Sequence, residues 1–438
     1  MKRLWMACLA VLVASGVWAL WPSQPVAVPP TQGTASSPEQ IELGRYLAVL
    51  GNCQHCHTAR GQLPFSGGRA VPTPFGTVFS SNLTPSAQGL GGWSADDFYR
   101  ALHHGQSRDG RWLYPAFPFN NTTHITRDDS DALFAYLQSL PPSDQARPAH
   151  QVQWPYNTQA ALKVWRALYF TPGTPQVVNR SGDPATRADA EAQRGAYLVN
   201  GLGHCSACHA PRNALGGHAD MLSLQGGLMP VLNWYAPSLH DPSEGGVQHW
   251  PLADTVALLQ TGRNSQAVVT GPMAEVVQHS TQHWRSADLH AVASYLKALP
   301  ETAGAARNRQ VPTATEPASV TSASSAGARL YTRHCADCHG PQCEGQRTAD
   351  GQLAYPALAG NRAVTLGRSA NLIHLTMNGG YGPSTAGNPR PFGMPPYLLT
   401  LSDADMAAVL THVRTAWGNR AEPVSELDVQ RLRGAGTR

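Results

Sequence analysis

Charge is scarce in this sequence. Asp, Glu, Lys and Arg make up 14% of its 438 residues, against about 25% in an average globular chain. The balance is only +4, from 32 basic and 28 acidic side chains, with no run of Lys or Arg. That excludes an electrostatic footprint for nucleic acid. Beyond the first residues long apolar runs are also lacking, so no internal segment is suited to cross a bilayer. Methionine is missing altogether between residues 7 and 220. Strand signals are sparse, which leaves a mostly α chain. Against these shortages stand 41 glycines and 35 prolines. That excess fits small, loop-rich domains whose cores something other than protein helps to fill. At roughly 150 residues per domain, the length accommodates about three.

The one long apolar run is N-terminal. Lys2 and Arg3 precede the uncharged, mostly apolar stretch Leu4 to Trp21, and Val17-Trp18-Ala19 offers small residues to a signal peptidase. The run is longer than a usual signal core of about 7–15 residues and just short of the roughly 20 that span a bilayer. Residues 1–21 therefore read as a cleaved signal peptide or a retained N-terminal anchor. Cys8, with Trp5 and Met6 before it, lies too early for a lipoprotein site.

Cysteine is not abundant either, but its spacing is specific. Six of the eight cysteines form Cys53-Gln54-His55-Cys56-His57, Cys205-Ser206-Ala207-Cys208-His209 and Cys335-Ala336-Asp337-Cys338-His339. An exported chain usually commits cysteines to disulfides, and close pairs can also make zinc sites or redox dithiols. Three in-register copies, each with a histidine directly after, point instead to c-type haem attachment. Two thiols one helical turn apart reach the two vinyl groups of one porphyrin, and the adjacent histidine supplies the proximal iron ligand. Three covalent haems are expected, on Cys53/Cys56, Cys205/Cys208 and Cys335/Cys338, with His57, His209 and His339 below the irons. Cys343 remains alone, without an assigned role.

The repeat extends beyond the motifs. Gly44-Arg45-Tyr46-Leu47, Gly195-Ala196-Tyr197-Leu198 and Ala328-Arg329-Leu330-Tyr331 read as short helices running into each motif. Downstream, Trp93 to Gly105 parallels Trp250 to Gly262, with a weaker echo ending at Gly379, each a helix stopped by glycine. The helical periods Asp131 to Leu137, Leu289 to Leu299 and Asp405 to Trp417 close the units. The expected plan is three tandem cytochrome c-type haem domains joined by linkers. They occupy residues 38–145, 188–300 and 326–420, with a flexible Ala/Thr/Ser/Pro linker over 301–325. The apolar patch Ala160 to Phe170 reads as a helix packed between the first two units, or as a surface for a membrane or partner.

The distal iron ligand should be a methionine on the loop after each glycine-stopped helix. Met273, in Gly271-Pro272-Met273, and Met394, in Gly393-Met394-Pro395, occupy matching positions. Met377 lies inside a helix and fits the role poorly, and Met406, also at a helical position, reads as core. The first unit departs from the pattern, because Phe117 stands where methionine is expected. His124 on the same loop is the leading sixth ligand there, followed by His103 and His104; a five-coordinate iron behind Phe117 and Phe119 is the other option. Arg60 and Arg212 follow their motifs at the same offset and could pair with haem propionates or lie in solvent.

With these strings the chain resembles the three-haem cytochrome c subunits of membrane-associated bacterial dehydrogenases acting on alcohol, gluconate, sorbitol and related substrates. The resemblance rests on residues 74–85, Gly201-Leu202-Gly203-His204, Cys208-His209-Ala210-Pro211-Arg212-Asn213, residues 271–277 and Thr415-Ala416-Trp417-Gly418-Asn419. It implies an electron-transfer subunit, not an enzyme on its own, on the periplasmic side of the inner membrane. Its implied partners are a catalytic dehydrogenase subunit of flavin, quinoprotein or molybdenum type, the membrane surface, and ubiquinone or a terminal oxidase as acceptor. Two rival readings are a peroxidase-type haem enzyme using an open haem 1, and a soluble shuttle cytochrome.

Overall fold

The computed structural model describes residues 5, 16, 18–21, 23–31, 36–174, 184–302, 325–349, 351 and 353–435. Cys8, most of the expected leader and residues 303–324 of the expected linker lie outside these. Helices account for 42% of the structure, as a mostly α chain requires. Packing divides the chain into two compact units, residues 1–207 with 212–222, and residues 208–211 with 223–438.

In the first unit, helix α1 (Pro38–Leu50) starts at Ser37, whose hydroxyl accepts from the Gln40 N–H, with Pro38 in the first turn. It runs into the one-turn α2 (Cys53–Cys56). Strands β1 (Ala70–Thr73) and β2 (Gly76–Phe79) form an antiparallel hairpin in which Ala70 faces Phe79. Helix α3 (Ala95–His104) opens on a Ser94–Asp97 capping box and stops at Gly105, φ +56°. The short α4 (Phe119–Thr122) and then α5 (Arg127–Gln138) follow, and β3 (Gln151–Val152) joins the edge of β2. Tyr46, Leu47 and Leu50 of α1 are buried, as are Ala132, Leu133 and Leu137 of α5. The α1–α5 crossing is close because Gly44 lies against the Ala132 carbonyl.

Residues 23–31 run as a strap over this unit. The buried Gln106 amide accepts from the Val26 N–H at 2.8 Å and donates to the Gln24 carbonyl at 3.0 Å. Trp112 Nε1 donates to the Ser23 hydroxyl, and Arg127 Nη1 to the Pro29 carbonyl. The apolar patch of the sequence forms α6 (Gln159–Tyr169). Its Arg166 is buried against the Trp112, Phe119 and Phe170 rings, and Trp165 donates to the Leu215 carbonyl. Helix α7 (Pro184–Tyr197) passes into a π-helical turn, Leu198–Leu202, and the one-turn α8 (Ser206–His209) follows.

The second unit holds the remainder of the second repeat and the third. A hairpin of β4 (Gly227–Met229) and β5 (Trp234–Ala236) precedes α9 (Leu252–Thr261), which stops at Gly262, φ +78°. Next come α10 (Pro272–His279) and α11 (Ser286–Lys297). The chain resumes with α12 (Ala326–His334), α13 (Ala336–His339) and a ribbon of β6 (Gln346–Arg347) with β7 (Leu353–Tyr355). Helix α14 (Ala370–Asn378) stops at Gly379, φ +66°, followed by the pair β8 (Gly380–Tyr381) and β9 (Gly393–Met394). Helix α15 (Asp403–Thr415) crosses α12 where Gly327 meets the Ala408 carbonyl. The two repeats are stitched into one unit by polar contacts. Arg362 donates to the carbonyls of Pro242 and Gly246, and Asn371 exchanges hydrogen bonds with the Tyr235 backbone.

A further helix, α16 (Glu426–Ala435), lies past residue 420, where the sequence pattern ends the third domain. Val424 and Val429 are buried in the same core as Met406 and Met377. Both of these methionines are core residues, as the helical position of Met406 suggests. Cys343 is core as well: it is fully buried at φ +59°, and burial pushes its thiol up to about 12. Among the described residues no helix is long and apolar enough to cross a membrane.

Candidate haem sites

Each Cys-x-x-Cys-His sequence is built the same way, in three respects. First, the histidine ring is fixed by a main-chain carbonyl. Nδ1 lies 2.7 Å from the Ser81 oxygen for His57, 2.7 Å from Pro237 for His209 and 2.9 Å from Pro356 for His339. A carbonyl only accepts, so the proton is on Nδ1 and the Nε2 lone pair is free to ligate a metal. Among the described residues none of the three Nε2 atoms has a hydrogen-bond partner.

Second, the carbonyl of each histidine accepts from a glycine N–H: Gly67 at 2.7 Å, Gly226 at 2.7 Å and Gly345 at 2.8 Å. All three glycines have positive φ, +77°, +85° and +74°. A Cβ on any of them would come within 3.0 Å of the backbone N of Asn82, Ser238 or Ala357, the residue after the ring's acceptor. Third, a long polar side chain donates to the carbonyl of the residue before the second cysteine. Arg69 reaches His55 at 2.9 Å, Arg212 reaches Ala207, and Gln346 reaches Asp337 at 2.7 Å. Arg60, which shares its offset with Arg212, is exposed instead. The equivalent arginine in the first motif is Arg69, because the loops after the motifs differ in length.

Burial pushes the Cys53 thiol up to about 12 and Cys335 to about 11, each helped by its partner cysteine. A redox-active dithiol needs the opposite shift. Among the described residues no three His, Cys, Asp or Glu side chains are grouped so as to hold a metal ion.

Of the residues expected as distal ligands, Met273 sits in the first turn of α10, just after Gly271 at φ +58°, where the sequence reading has a loop. Met394 lies in β9 opposite Gly380, its carbonyl against Gly379. Both side chains are half-buried. Phe117 is half-buried, and Phe119 belongs to the core, edge-on to Phe170. His124 lies beside Gly173 and Gly201, with the Thr174 backbone as one hydrogen-bond partner and, among the described residues, none for the buried Nε2. His103 is buried and stacked on Tyr99.

His104 is held neutral. Burial, then the positive charges of His103, Arg166 and Arg100, lower its pKa to about 4, and burial with Arg147 and Arg111 does the same for His150. In the unfolded chain both rings take up a proton near 6.5. Between pH 6.5 and about 4 the folded form therefore binds fewer protons, and stability falls as pH falls. Denaturant midpoints should drop across that window, and His104→Gln and His150→Gln should each flatten the decline. An unchanged slope in the double variant would refute this.

The comparisons with known proteins identify the family. The Cytochrome c family profile matches residues 41–141 and 324–417. The cytochrome c subunit of alcohol dehydrogenase (quinone) from Gluconobacter oxydans is 36% identical over 406 residues, 90% of this chain and 82% of its own. The chain belongs to the cytochrome c subunits of dehydrogenases. Other members of the family are similar over as much of their length. The gluconate 2-dehydrogenase cytochrome c subunit of Pantoea cypripedii is 34% identical over 90% of this chain and 89% of its own. The fructose dehydrogenase cytochrome subunit of Gluconobacter japonicus is 31% identical over 93% and 85%. A dehydrogenase cytochrome c subunit transfers electrons rather than catalysing the oxidation, and its c-type haem is covalently bound. The peroxidase-type reading is thereby set aside.

Proposed function

We infer that this subunit carries three haems, one on each Cys-x-x-Cys-His sequence, in three cytochrome c-type domains. The observation that supports it most is the shared proximal geometry, in which His57, His209 and His339 each present Nε2 from a ring anchored to a backbone carbonyl. The bound haems supply reversible one-electron chemistry at iron. The chain's own residues orient the ligating rings, hold the thiols in the attachment turn and exclude water. Met273 and Met394 are the distal ligands of the second and third sites, and His124 that of the first. The electrons come from a catalytic dehydrogenase subunit of flavin, quinoprotein or molybdenum type and leave to ubiquinone or a terminal oxidase. The place of exchange is the periplasmic face of the inner membrane, with the protein bound at the membrane surface. The relatives named for alcohol, gluconate and fructose dehydrogenases support the partner class.

The test is the intact mass of protein matured in a host that attaches c-type haem. The expected mass exceeds the polypeptide by three haems; an increment of two, or stoichiometric zinc, would overturn the count. Isolation from membranes with a large oxidoreductase subunit is expected too. Recovery only as a free soluble cytochrome would favour a shuttle.

A further inference from the structure

The approach to the second motif touches the approach to the first. His204, directly before Cys205, has Nε2 3.2 Å from the carbonyl oxygen of Gly51, two residues before Cys53. Since a carbonyl only accepts, this ring nitrogen donates. Leu202 packs at the same glycine: a Cβ on Gly51 would stand 3.6 Å from Leu202 Cδ2 and 3.1 Å from Cys53 Sγ. Nearby, Asn121 Nδ2 donates to the Asn200 carbonyl and to the Ser206 hydroxyl, both at 2.8 Å. Tyr197 donates to Asp129 at 2.5 Å.

The backbone is shaped for this contact. The π-helical turn Leu198–Leu202 adds a residue to the helix before the motif, a feature frequent at functional positions. His204 then adopts φ +37° and, across the contact, Asn52 adopts φ +49°. Left-handed conformations are uncommon outside glycine and persist where surrounding contacts hold them. His334, the residue before Cys335, lies instead in regular helix and packs edge-on to Tyr397.

We propose that His204 is a positioning residue that locks the attachment point of haem 2 onto that of haem 1 and carries the electronic coupling between them. This rests on the reading that Cys53 and Cys205 both hold haem. The route from Cys53 to Cys205 then runs through Asn52, Gly51, one hydrogen bond and His204. Exchange along it moves one electron from one iron to the other, with no bond broken and no proton transferred. Electron exchange falls steeply with gaps in a bonded path, so a single hydrogen bond at this place matters.

The test uses the full chain matured with its haems. His204→Gly keeps the backbone turn and removes the ring; His204→Gln returns a donor. Exchange between haems 1 and 2 after a photoreductant pulse should slow by up to about a hundredfold in His204→Gly, the scale on which a misplacement of about 1 Å acts on proximity-dependent reactions. Most of the rate should return in His204→Gln, and His334→Ala should leave it unchanged. Amide hydrogen exchange should rise together at residues 49–53 and 199–206 in the glycine variant. Wild-type electron exchange in His204→Gly would overturn the proposal. A wild-type mass lacking haem at Cys53 or Cys205 would instead overturn the reading beneath it.

Discussion

Gly44→Ala and Gly327→Ala should each cost about 3 kcal/mol or more, at or beyond the upper end of ordinary overpacking. A Cβ at Gly44 would lie 1.9 Å from the Ala132 carbonyl oxygen and 2.8 Å from Tyr136 Cβ. At Gly327 it would lie 2.3 Å from the Ala408 oxygen and 2.8 Å from His412 Cβ. Both obstacles include helix backbone, which cannot rotate away as a side chain can. The helices must separate instead, and α1 and α12 are the ones that deliver Cys53 and Cys335. Domains hold only about 5–15 kcal/mol in total, so haem incorporation should fall along with the unfolding midpoint. Gly367→Ala is the control, with nothing within 4 Å of its Cβ; it should stay within about 0.5 kcal/mol of wild type. If all three variants unfold alike, close helix crossing is not what these glycines provide.

The second large effect concerns the irons. Met394→Ala should lower the potential of the haem on Cys335/Cys338 by on the order of 0.1–0.2 V, part of the roughly 0.8 V range that axial ligands command. Methionine opposite histidine raises a haem potential, so its loss acts downward. The opened position should then take carbon monoxide. Met273→Ala should do the same at Cys205/Cys208. The first haem, with imidazole in place of sulfur, should titrate lowest of the three and so be the natural point for electrons to enter. His124→Ala should convert it from low to high spin in electron paramagnetic resonance. Wild-type potentials in both methionine variants would place the distal ligands elsewhere. A high-spin first haem in the wild type, or no change on removing His124, would reject the imidazole.

Much of this was legible because it is written in side chains at regular spacing. The glycine stops at Gly105, Gly262 and Gly379 lie where the helical periods break, and all three have positive φ. The closing helices fall on their apolar periods, although α15 ends at Thr415, short of Trp417, itself at φ +51°. The proximal anchors were not legible. Their acceptors are backbone carbonyls on Ser81, Pro237 and Pro356, at separations of 24, 28 and 17 residues from the histidines. The spacing does not repeat, and a backbone acceptor is not marked by its side chain. Of the two arginines at a shared offset, Arg212 reaches the carbonyl of its own motif while Arg60 is exposed, and Arg69, at a different offset, holds the equivalent carbonyl of the first motif. The crossing glycine of the third repeat is Gly327, one residue before the Ala328 that the motif alignment matched to Gly44. Helix α16 carries too few apolar residues to announce itself, and tertiary burial of Val429 is what gives it a place.

The main-chain anchoring of the three proximal rings has a consequence for heritable variation. An acceptor that every amino acid possesses cannot be deleted by exchanging one side chain for another. Codons 81, 237 and 356 are therefore free to drift while the imidazoles keep their orientation. The burden falls on positions 67, 226 and 345, where the information kept is the absence of a side chain.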